Sequence, residues 1–242
     1  MRTIRIYQPG PYAIGHNVEL STAASQHVAV VLRMQPGELL TLFCGDNREF
    51  SATITAIHKK KVVVHINHIA EINRESPCAL HLAQAISKGE RMEIVIQKAV
   101  ELGVASITPL LTAHCVVRLD AERQAKKHAQ WQNIAIAACE QSGRNQLPMI
   151  HPICTLDTYL QQCTAITKLV LHPSTTKSWR DYSFTTGDIA LLIGPEGGLS
   201  DDEVALATTQ QFYPLSLGPR ILRTETAAIA ALSVLQATAG DF

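Results

Sequence analysis

Two segments near the end of this 242-residue chain, each with a Gly-Pro pair, carry its strongest chemical signal. The first, residues 193–200, reads IGPEGGLS and follows an apolar run that is typical of a buried strand. Glycine has no side chain to keep a ligand away, so such a loop lets bare backbone approach it closely. The segment therefore predicts a binding loop of backbone amides and carbonyls, with a plain tight turn as the alternative.

The residues after this loop indicate that its ligand is not rich in phosphate. Ser200 and Glu203 have the spacing of a helix capping box, and Asp201 and Asp202 add two carboxylates to the first turn. Phosphate prefers a free, positive helix N-terminus, whereas acidic side chains occupy this one. The loop also matches neither the Walker nor the G-x-G-x-x-G pattern, which argues against a nucleotide-using α/β enzyme.

The second segment, residues 217–228, reads LGPRILRTETAA and repeats the order of strand, Gly-Pro loop and helix. Arg220 and Arg223 follow the strand, at the place where open α/β sheets bind ligands. Both arginines could instead be solvated or paired with Glu225. We expect Thr224 or a neighbour to cap the helix.

An alternation of strands and helices after residue 76 must position these two loops. Apolar strands between helices indicate a mostly parallel sheet that is covered on both faces. The predicted strands are 80–86, 106–110, 168–172, 188–193 and 212–217, and the predicted helices are 90–102, 120–142, 156–162, 200–209 and 225–237. His172 ends one of these strands and could reach the same crevice, although a lone loop histidine is weak evidence.

The first 75 residues have the pattern of a small β-barrel. The β-rich runs are 2–6, 39–44, 49–57 and 62–69, with a hairpin connection at 58–61. One helix is predicted over residues 21–33, with Ser21 as its cap. The polar stretch 73–77 is typical of a linker, so we divide the chain into residues 1–72 and 73–242.

Composition excludes several classes of protein. The chain is 46% hydrophobic, enough for a packed core, and no apolar run is long enough for a transmembrane helix. Basic and acidic residues number 21 each, which argues against coating nucleic acid by bulk charge but permits a local basic site. Residues 1–75 hold 8 basic and 6 acidic side chains, so this N-terminal part of the chain is slightly basic.

Two further observations concern the compartment. The stretch after Arg5 is rich in proline and glycine where a signal peptide would have an apolar core, so we expect none. Six scattered cysteines have no metal-ligand spacing, which favours free thiols in a reducing cytosol over a disulfide or zinc framework.

The two C-terminal segments resemble the signature of the SPOUT superfamily of methyltransferases. Within it, the chain is most similar to the RsmE-type enzymes, which methylate N3 of a uridine in small-subunit ribosomal RNA. Residues 97–104 and 140–144 match two further motifs, with Val100 where threonine is more frequent. The segment 113–115, Ala-His-Cys, departs from the more polar stretch of relatives, so its role stays open.

This resemblance implies an N-terminal PUA-like β-barrel that binds RNA and a C-terminal SPOUT α/β domain with a deep trefoil knot within about residues 168–242. It implies S-adenosylmethionine (SAM) as cofactor and a cytoplasmic homodimer that acts on ribosomal RNA of the small subunit, with no membrane and no metal. The residues that it implies for SAM binding are Leu171, His172, Pro173, Ile193, Gly194, Pro195, Glu196, Gly197, Gly198, Leu217, Gly218, Ile221 and Leu222.

The reaction that the resemblance implies suggests roles for the charged residues. Uridine N3 must lose its proton, and the negative charge that then spreads onto the uracil oxygens needs fixed donors. Arg144, Arg220 and Arg223 are the candidates for that task. Glu225 and Glu140 are candidate general bases, and equally candidate partners that orient the arginines.

The remaining candidates concern the cofactor's charge and the RNA. Glu196 could favour a cationic cofactor or simply order its own loop. The candidate RNA-binding residues are Arg2, Arg5, Arg33, Lys88, Arg118, Arg123 and Lys127. The lysines at 59–61 are more typical of a solvated hairpin tip. The alternative function is a non-catalytic RNA-binding or ribosome-assembly protein on the same fold.

Overall fold

The computed structural model describes residues 4–59, 61–117, 119–184 and 187–242. The chain forms two compact units. The first comprises the residues up to 75 together with 139–147, and the second comprises 76–138 and 148–242. Within the described ranges, every helix is too short or too polar to cross a lipid bilayer.

The described part of the first unit contains a five-stranded sheet in the order β1-β3-β4-β5-β2. Its strands are Arg5–Tyr7 (β1), Asn17–Glu19 (β2), Leu39–Phe43 (β3), Arg48–His58 (β4) and Lys61–Glu71 (β5). β1 pairs in parallel with β3, and the other neighbours are antiparallel. Because residues two apart in a strand face the same side, Leu40, Leu42, Ile54 and Val64 enter one core.

The helix predicted over 21–33 is shorter and less regular than expected. Helix α1 covers Thr22–Gln26 and continues into a π-helical turn at His27–Val31. The predicted cap is confirmed, since Ser21 Oγ accepts the N–H of Ala24 at 3.2 Å. The helix ends before Arg33 because that residue adopts a left-handed backbone with φ of +55°.

The second unit contains a sheet in which every described strand pair is parallel, as predicted. Its strands are Ala79–Ala85 (β6), Ser106–Leu111 (β7), Met149–Ile150 (β8), Cys154–Thr155 (β9), Thr167–Leu171 (β10), Asp188–Ile193 (β11) and Tyr213–Leu215 (β12). The main path runs β12-β10-β11-β6-β7-β8, and β9 also pairs with β7. The two-residue strands β8 and β9 were not predicted, because they are too short to show a pattern.

The helices of the chain after residue 76 agree with the predicted segments to within two residues at each end. They are Arg91–Glu101 (α2), Ala121–Ser142 (α3), Leu156–Gln162 (α4), Asp201–Thr209 (α5) and Thr224–Ala239 (α6). The predicted capping box is confirmed, since Ser200 Oγ accepts the N–H of Glu203 and the Glu203 carboxylate accepts that of Ser200.

The strand register brings three loops to one edge of this sheet. Val170 of β10 is level with Leu192 of β11, and Leu171 is level with Leu215 of β12. Parallel strands end at the same edge, so the chain after each of these strands emerges there together. These are the positions of the two Gly-Pro segments, 193–200 and 217–228, and of His172.

Candidate functional site

A cavity of about 720 Å³ lies where the chain leaves β10, β11 and β12. Its lining comes chiefly from residues 171–174, 193–199 and 215–225. Every residue that the resemblance implied for SAM lies in this lining, and so do Arg220, Arg223 and Glu225. The structure therefore brings these predicted residues together although Leu171 and Glu225 are 54 positions apart in the sequence.

Gly194 begins the glycine-rich loop at a point where no side chain fits. A Cβ at this position would lie 2.8 Å from the backbone nitrogen of Leu199 and 2.9 Å from the carbonyl carbon of Gly198. Contacts that close do not occur for real Cβ atoms, so the loop can fold back on itself only with glycine here. Gly194 is therefore required for the shape of the loop that lines the cavity.

Glu196 orders this loop by binding two residues of another segment. Lys88 lies just before α2, and Arg91 is the first residue of α2. Its Oε1 accepts the backbone N–H of Lys88 at 3.0 Å and a hydrogen bond from the Arg91 guanidinium. Partial burial opposes ionisation, but these hydrogen bonds and one from its own backbone N–H hold the pKa of Glu196 below its ordinary value. The carboxylate is thus used, at least in part, to hold the loop, which was one of its two predicted roles.

Glu225 presents an acceptor atom that the described protein does not satisfy. Its Oε2 is buried and accepts no hydrogen bond from any described residue. The nearest cation recorded beside it is Arg91, whose Nε lies 4.0 Å away. Because a buried acceptor is costly when left unpaired, this oxygen is suited to a donor from a ligand in the cavity.

Arg220 and Arg223 are exposed and form no ion pair within the described chain, so the predicted alternative of pairing with Glu225 is wrong. Between them Ile221 is 88% exposed, which is unusual for a large apolar side chain. Two cations and one apolar side chain at the edge of a cavity suit a ligand that has both an anionic and a flat apolar surface.

Arg144, the third candidate arginine, belongs to the first unit and is only 4% exposed. Its guanidinium forms an ion pair with Glu75. The neighbouring Asn145 accepts a hydrogen bond from Arg5 at 2.6 Å and donates one to the backbone of Ile72 at 2.8 Å. These contacts bind the segment 139–147 into the first unit, and a catalytic role for Arg144 stays a prediction.

Glu140 also lies in the first unit, where it accepts the backbone N–H of Tyr7 at 3.0 Å. Burial raises the pKa of this carboxyl, which the Tyr7 hydrogen bond and the neighbouring His27 and Arg5 offset only in part. The side chain therefore has a local structural partner, and its role as a general base stays a prediction.

The segment Ala-His-Cys at 113–115, which differs from the more polar stretch of the family, packs against the glycine-rich loop. His114 Nδ1 lies 3.1 Å from the carbonyl oxygens of both Gly197 and Gly198. The backbone N–H of Ala113 donates to Glu203 Oε1 at 2.7 Å. Sequence reasoning left the role of this segment open, and no motif pointed to it, because the contact joins positions that are more than 80 residues apart.

Of the residues predicted to cap α6, Thr224 or a neighbour, it is the neighbour that lies at the cap. Arg223 occupies the N-cap position, and its side chain makes no capping hydrogen bond. The Thr224 hydroxyl donates instead to the carbonyl oxygen of Gly194 at 2.8 Å and accepts from Gln84 at 2.9 Å. A capping role is excluded because Thr224 is already the first helical residue, one position too late for the cap.

The candidate RNA-binding residues differ in solvent exposure and in whether they form ion pairs. Arg33 and Lys88 are exposed, whereas the Arg5 side chain is 11% exposed and paired with Glu49. Arg123 pairs with Asp120 at 3.5 Å, and Lys127 pairs with Glu93 at 3.4 Å. Arg2, Lys60 and Arg118 lie outside the described residues.

Comparisons with protein families give two matches along the chain. Residues 74–236 match a family model described as an RNA methyltransferase domain. Residues 20–67 match a model described as an RNA methyltransferase PUA domain.

Curated proteins and solved structures with similar chains agree with these matches. Ribosomal RNA small subunit methyltransferase E of Buchnera aphidicola from Schizaphis graminum is 39% identical over 99% of this chain and 98% of its own. The same enzyme from Neisseria gonorrhoeae, solved bound to SAM, is 38% identical with a TM-score of 0.93, and each chain is fully covered. A Legionella pneumophila protein solved in complex with the bound cofactor SAM is 60% identical with a TM-score of 0.99, again over the whole of both chains.

Proposed function

Because this chain belongs to the RNA methyltransferase family, we propose that it transfers a methyl group from SAM to N3 of a specific uridine in 16S ribosomal RNA. The observation that carries the proposal is the cavity formed by the chain after β10, β11 and β12. Its lining contains every residue that the family resemblance assigned to the cofactor, in a chain 60% identical to a protein solved with SAM.

The chemistry of the lining fits SAM. A volume of about 720 Å³ lies within the range of roughly 300–1,000 Å³ that is usual for small-molecule sites. Leu171, Ile193, Leu217 and Leu222 offer apolar surface for the adenine ring, and the bare backbone of 194–198 offers hydrogen bonds. The carboxylates of Glu196 and Glu225 in the lining suit the positive charge of this ligand, and no phosphate site is needed.

The charged residues at the cavity have complementary tasks in this proposal. SAM, when bound, supplies an electrophilic methyl group on a cationic sulfur. Arg220 and Arg223, which have no ion-pair partner among described residues, stabilise the negative charge on the uracil oxygens once N3 has lost its proton. Glu225 takes up that proton, since its free oxygen is in the same lining.

We also propose the finer architecture that the resemblance implies. Residues 1–72 form a PUA-like RNA-binding barrel, and residues 73–242 form a SPOUT domain; the two family matches, 20–67 and 74–236, support this division. The compact units differ from it in that 73–75 and 139–147 belong to the first unit. The strand order supports a knot, since β12 is the edge strand beside β10 whereas α6, which follows it, packs on α2 and β11. The chain thus returns across the sheet after residue 215.

We propose that the enzyme works in the cytoplasm as a homodimer and without a metal ion, with exposed side chains such as Arg33 and Lys88 contacting the RNA. The target uridine must leave any base stack to reach the cavity. Light scattering of the purified protein measures the dimer directly.

Binding measurements separate the proposal from its alternatives. Calorimetric titration of the purified protein should show SAM binding and no ATP binding. Failure to bind SAM would overturn the methyltransferase assignment, and ATP binding in its place would support a nucleotide-using enzyme.

A transfer assay then distinguishes an enzyme from a non-catalytic assembly protein. Small ribosomal subunits from a strain that lacks this gene are incubated with the protein and SAM, and their RNA is mapped by mass spectrometry. One uridine should gain a methyl group at N3. SAM binding without any methylation of free RNA or subunits would favour the assembly protein.

A further inference from the structure

The Thr224 hydroxyl joins three elements at the edge of the cavity. It donates to the carbonyl oxygen of Gly194 at 2.8 Å and accepts from Gln84 Nε2 at 2.9 Å. Gln84 is fully buried near the end of β6, and Thr224 is 5% exposed at the start of α6. Buried hydrogen bonds of this kind do not exchange freely with water, so they hold their partners at a fixed distance.

The chemistry of the partners fixes the direction of this hydrogen-bond chain. Gln84 Nε2 also donates to the carbonyl oxygen of Ala85 at 3.1 Å. A carbonyl can only accept, so the nitrogen and not the oxygen of the Gln84 amide must face that side. The Thr224 hydroxyl therefore accepts from Gln84, and its own hydrogen is directed to Gly194.

The hydrogen bond between Thr224 and Gly194 joins the end of one cavity loop to the start of another. Gly194 is the first residue of the loop 194–199, and Thr224 directly follows the loop 216–223. In the sheet register, Gln84 of β6 is level with Ile193, the last residue of β11. The hydroxyl thus sets the distance between two loops that reach the cavity from different strands.

We infer that Thr224 is a positioning residue for cofactor binding, which couples the loop 194–199 to the loop 216–223 through its hydroxyl while Gln84 fixes the orientation of that hydroxyl. The inference rests on the proposed SAM-dependent function. Without the hydroxyl, the Gly194 carbonyl and the Gln84 amide each lose a buried partner, and the Gly194 loop is free to move from its binding position.

Three variants at the same helix end test this inference by calorimetry with SAM. Thr224→Val keeps the shape of the side chain but removes the hydroxyl, and SAM binding should weaken about tenfold, as expected for a lost buried hydrogen bond. Thr224→Ser restores the hydroxyl and should bind SAM within about threefold of wild type. Thr226→Val is the matched control, because Thr226 is exposed in the same turn, and should be unchanged.

Kinetics distinguish positioning from a merely structural role. In Thr224→Val the KM for SAM should rise with the dissociation constant, while the KM for ribosomal subunits changes less than about twofold. A lower Tm with unchanged SAM affinity, or equal damage from Thr224→Ser and Thr224→Val, would overturn the inference.

A variant of the second partner covers the case in which Thr224→Val does not fold. Gln84→Met has a similar volume and cannot donate to Thr224, so SAM binding should weaken by about three- to tenfold. The double variant should be less damaged than the product of the two single effects, because both changes break one chain of hydrogen bonds. Wild-type affinity in Gln84→Met would refute the coupling, whereas absent SAM binding by the wild type would refute the proposed function itself.

Discussion

The carboxylate of Glu196 accepts the backbone N–H of Lys88 at 3.0 Å and thereby ties the glycine-rich loop to the loop before α2. The Arg91 guanidinium binds the same carboxylate oxygen. Glu196 is thus held by the connection between β6 and α2. Protonating its carboxylate should weaken these contacts and lower the stability of the folded protein.

Glu196→Gln tests this consequence through its pH dependence. The pKa of Glu196 is lowered in the folded protein, so its stabilising contribution is complete above the ordinary value of 4.5 and is lost as the pH falls through the lowered folded value. At pH 7 the variant should melt about 1–3 °C below wild type, since a part-exposed ion pair contributes little.

Thermal melts of both proteins from pH 8 into the acid range measure this difference. It should shrink once the pH passes below 4.5. Glu90→Gln is the control, because Glu90 is exposed one residue before α2. A difference that widened in acid would contradict the assignment.

Arg223→Ala should abolish methyl transfer while leaving the fold intact. Arg223 is exposed and lines the cavity, so its loss removes a charge that stabilises the reacting base without disturbing the core. The transfer rate should fall by at least about 100-fold, as when one fixed donor is removed from an active site. The assay is incorporation of labelled methyl groups into small ribosomal subunits.

The control for this variant is Arg180→Ala, an exposed arginine that stacks on Trp179 and is absent from the cavity lining. It should keep full activity. If Arg223→Ala also kept full activity at an unchanged Tm, the catalytic assignment of Arg223 would be wrong.

Gly194→Ala should weaken SAM binding by at least about tenfold, because overpacking against rigid backbone must shift the loop. The added Cβ would lie 2.8 Å from a backbone nitrogen. Gly197→Ala is the comparison, since its Cβ would meet the His114 side chain at 3.1 Å, and a side chain can move. Calorimetry should rank wild type, Gly197→Ala and Gly194→Ala in order of falling affinity, and the reverse order of the two variants would refute the steric argument.

Two glutamates of the first unit have pKa values shifted in opposite directions, so the same substitution should affect stability differently at each. Although burial opposes ionisation of Glu49, hydrogen bonds from Arg74, Asn145 and Arg5 lower its pKa. Burial raises the pKa of Glu140. At pH 7.5 Glu49→Gln should therefore lower Tm by about 5–10 °C, because it leaves the largely buried guanidinium of Arg5 underpaired.

Glu140→Gln should hold Tm within about 2 °C of wild type or raise it, because the amide oxygen still accepts the Tyr7 N–H without the cost of a buried charge. The two variants also differ in acid. The loss in Glu49→Gln should begin to shrink below the ordinary value of 4.5 and vanish only as the pH falls through the lowered pKa of the folded protein. Any gain in Glu140→Gln should vanish as the pH falls through its raised pKa. Differential scanning calorimetry across pH measures the Tm of both variants. A large fall in the Tm of Glu140→Gln at neutral pH would contradict the claim that the buried charge of Glu140 costs stability.

The sequence by itself determined the longer helices and strands of the second unit and the loops that line the cavity. The spacing of apolar residues predicted helices such as Arg91–Glu101, and short continuous apolar runs predicted the parallel strands. Both signals are local, because each kind of element buries its residues in its own pattern along the chain. Gly-Pro-Glu-Gly-Gly at 194–198 and the arginines at 220 and 223 stood out since loop glycines and strand-end cations are local signals. All of them line the cavity.

Only the tertiary structure decided which partner each side chain takes. Thr224 looked like a helix cap, but its hydroxyl binds Gly194, because two strands bring positions 30 residues apart together. Arg144 was a candidate for the same task as Arg220 and Arg223, yet it is buried against Glu75 in the first unit. His114 touches the glycine-rich loop across more than 80 residues of sequence. Such pairings depend on the packing of distant segments, which no local pattern in the sequence encodes.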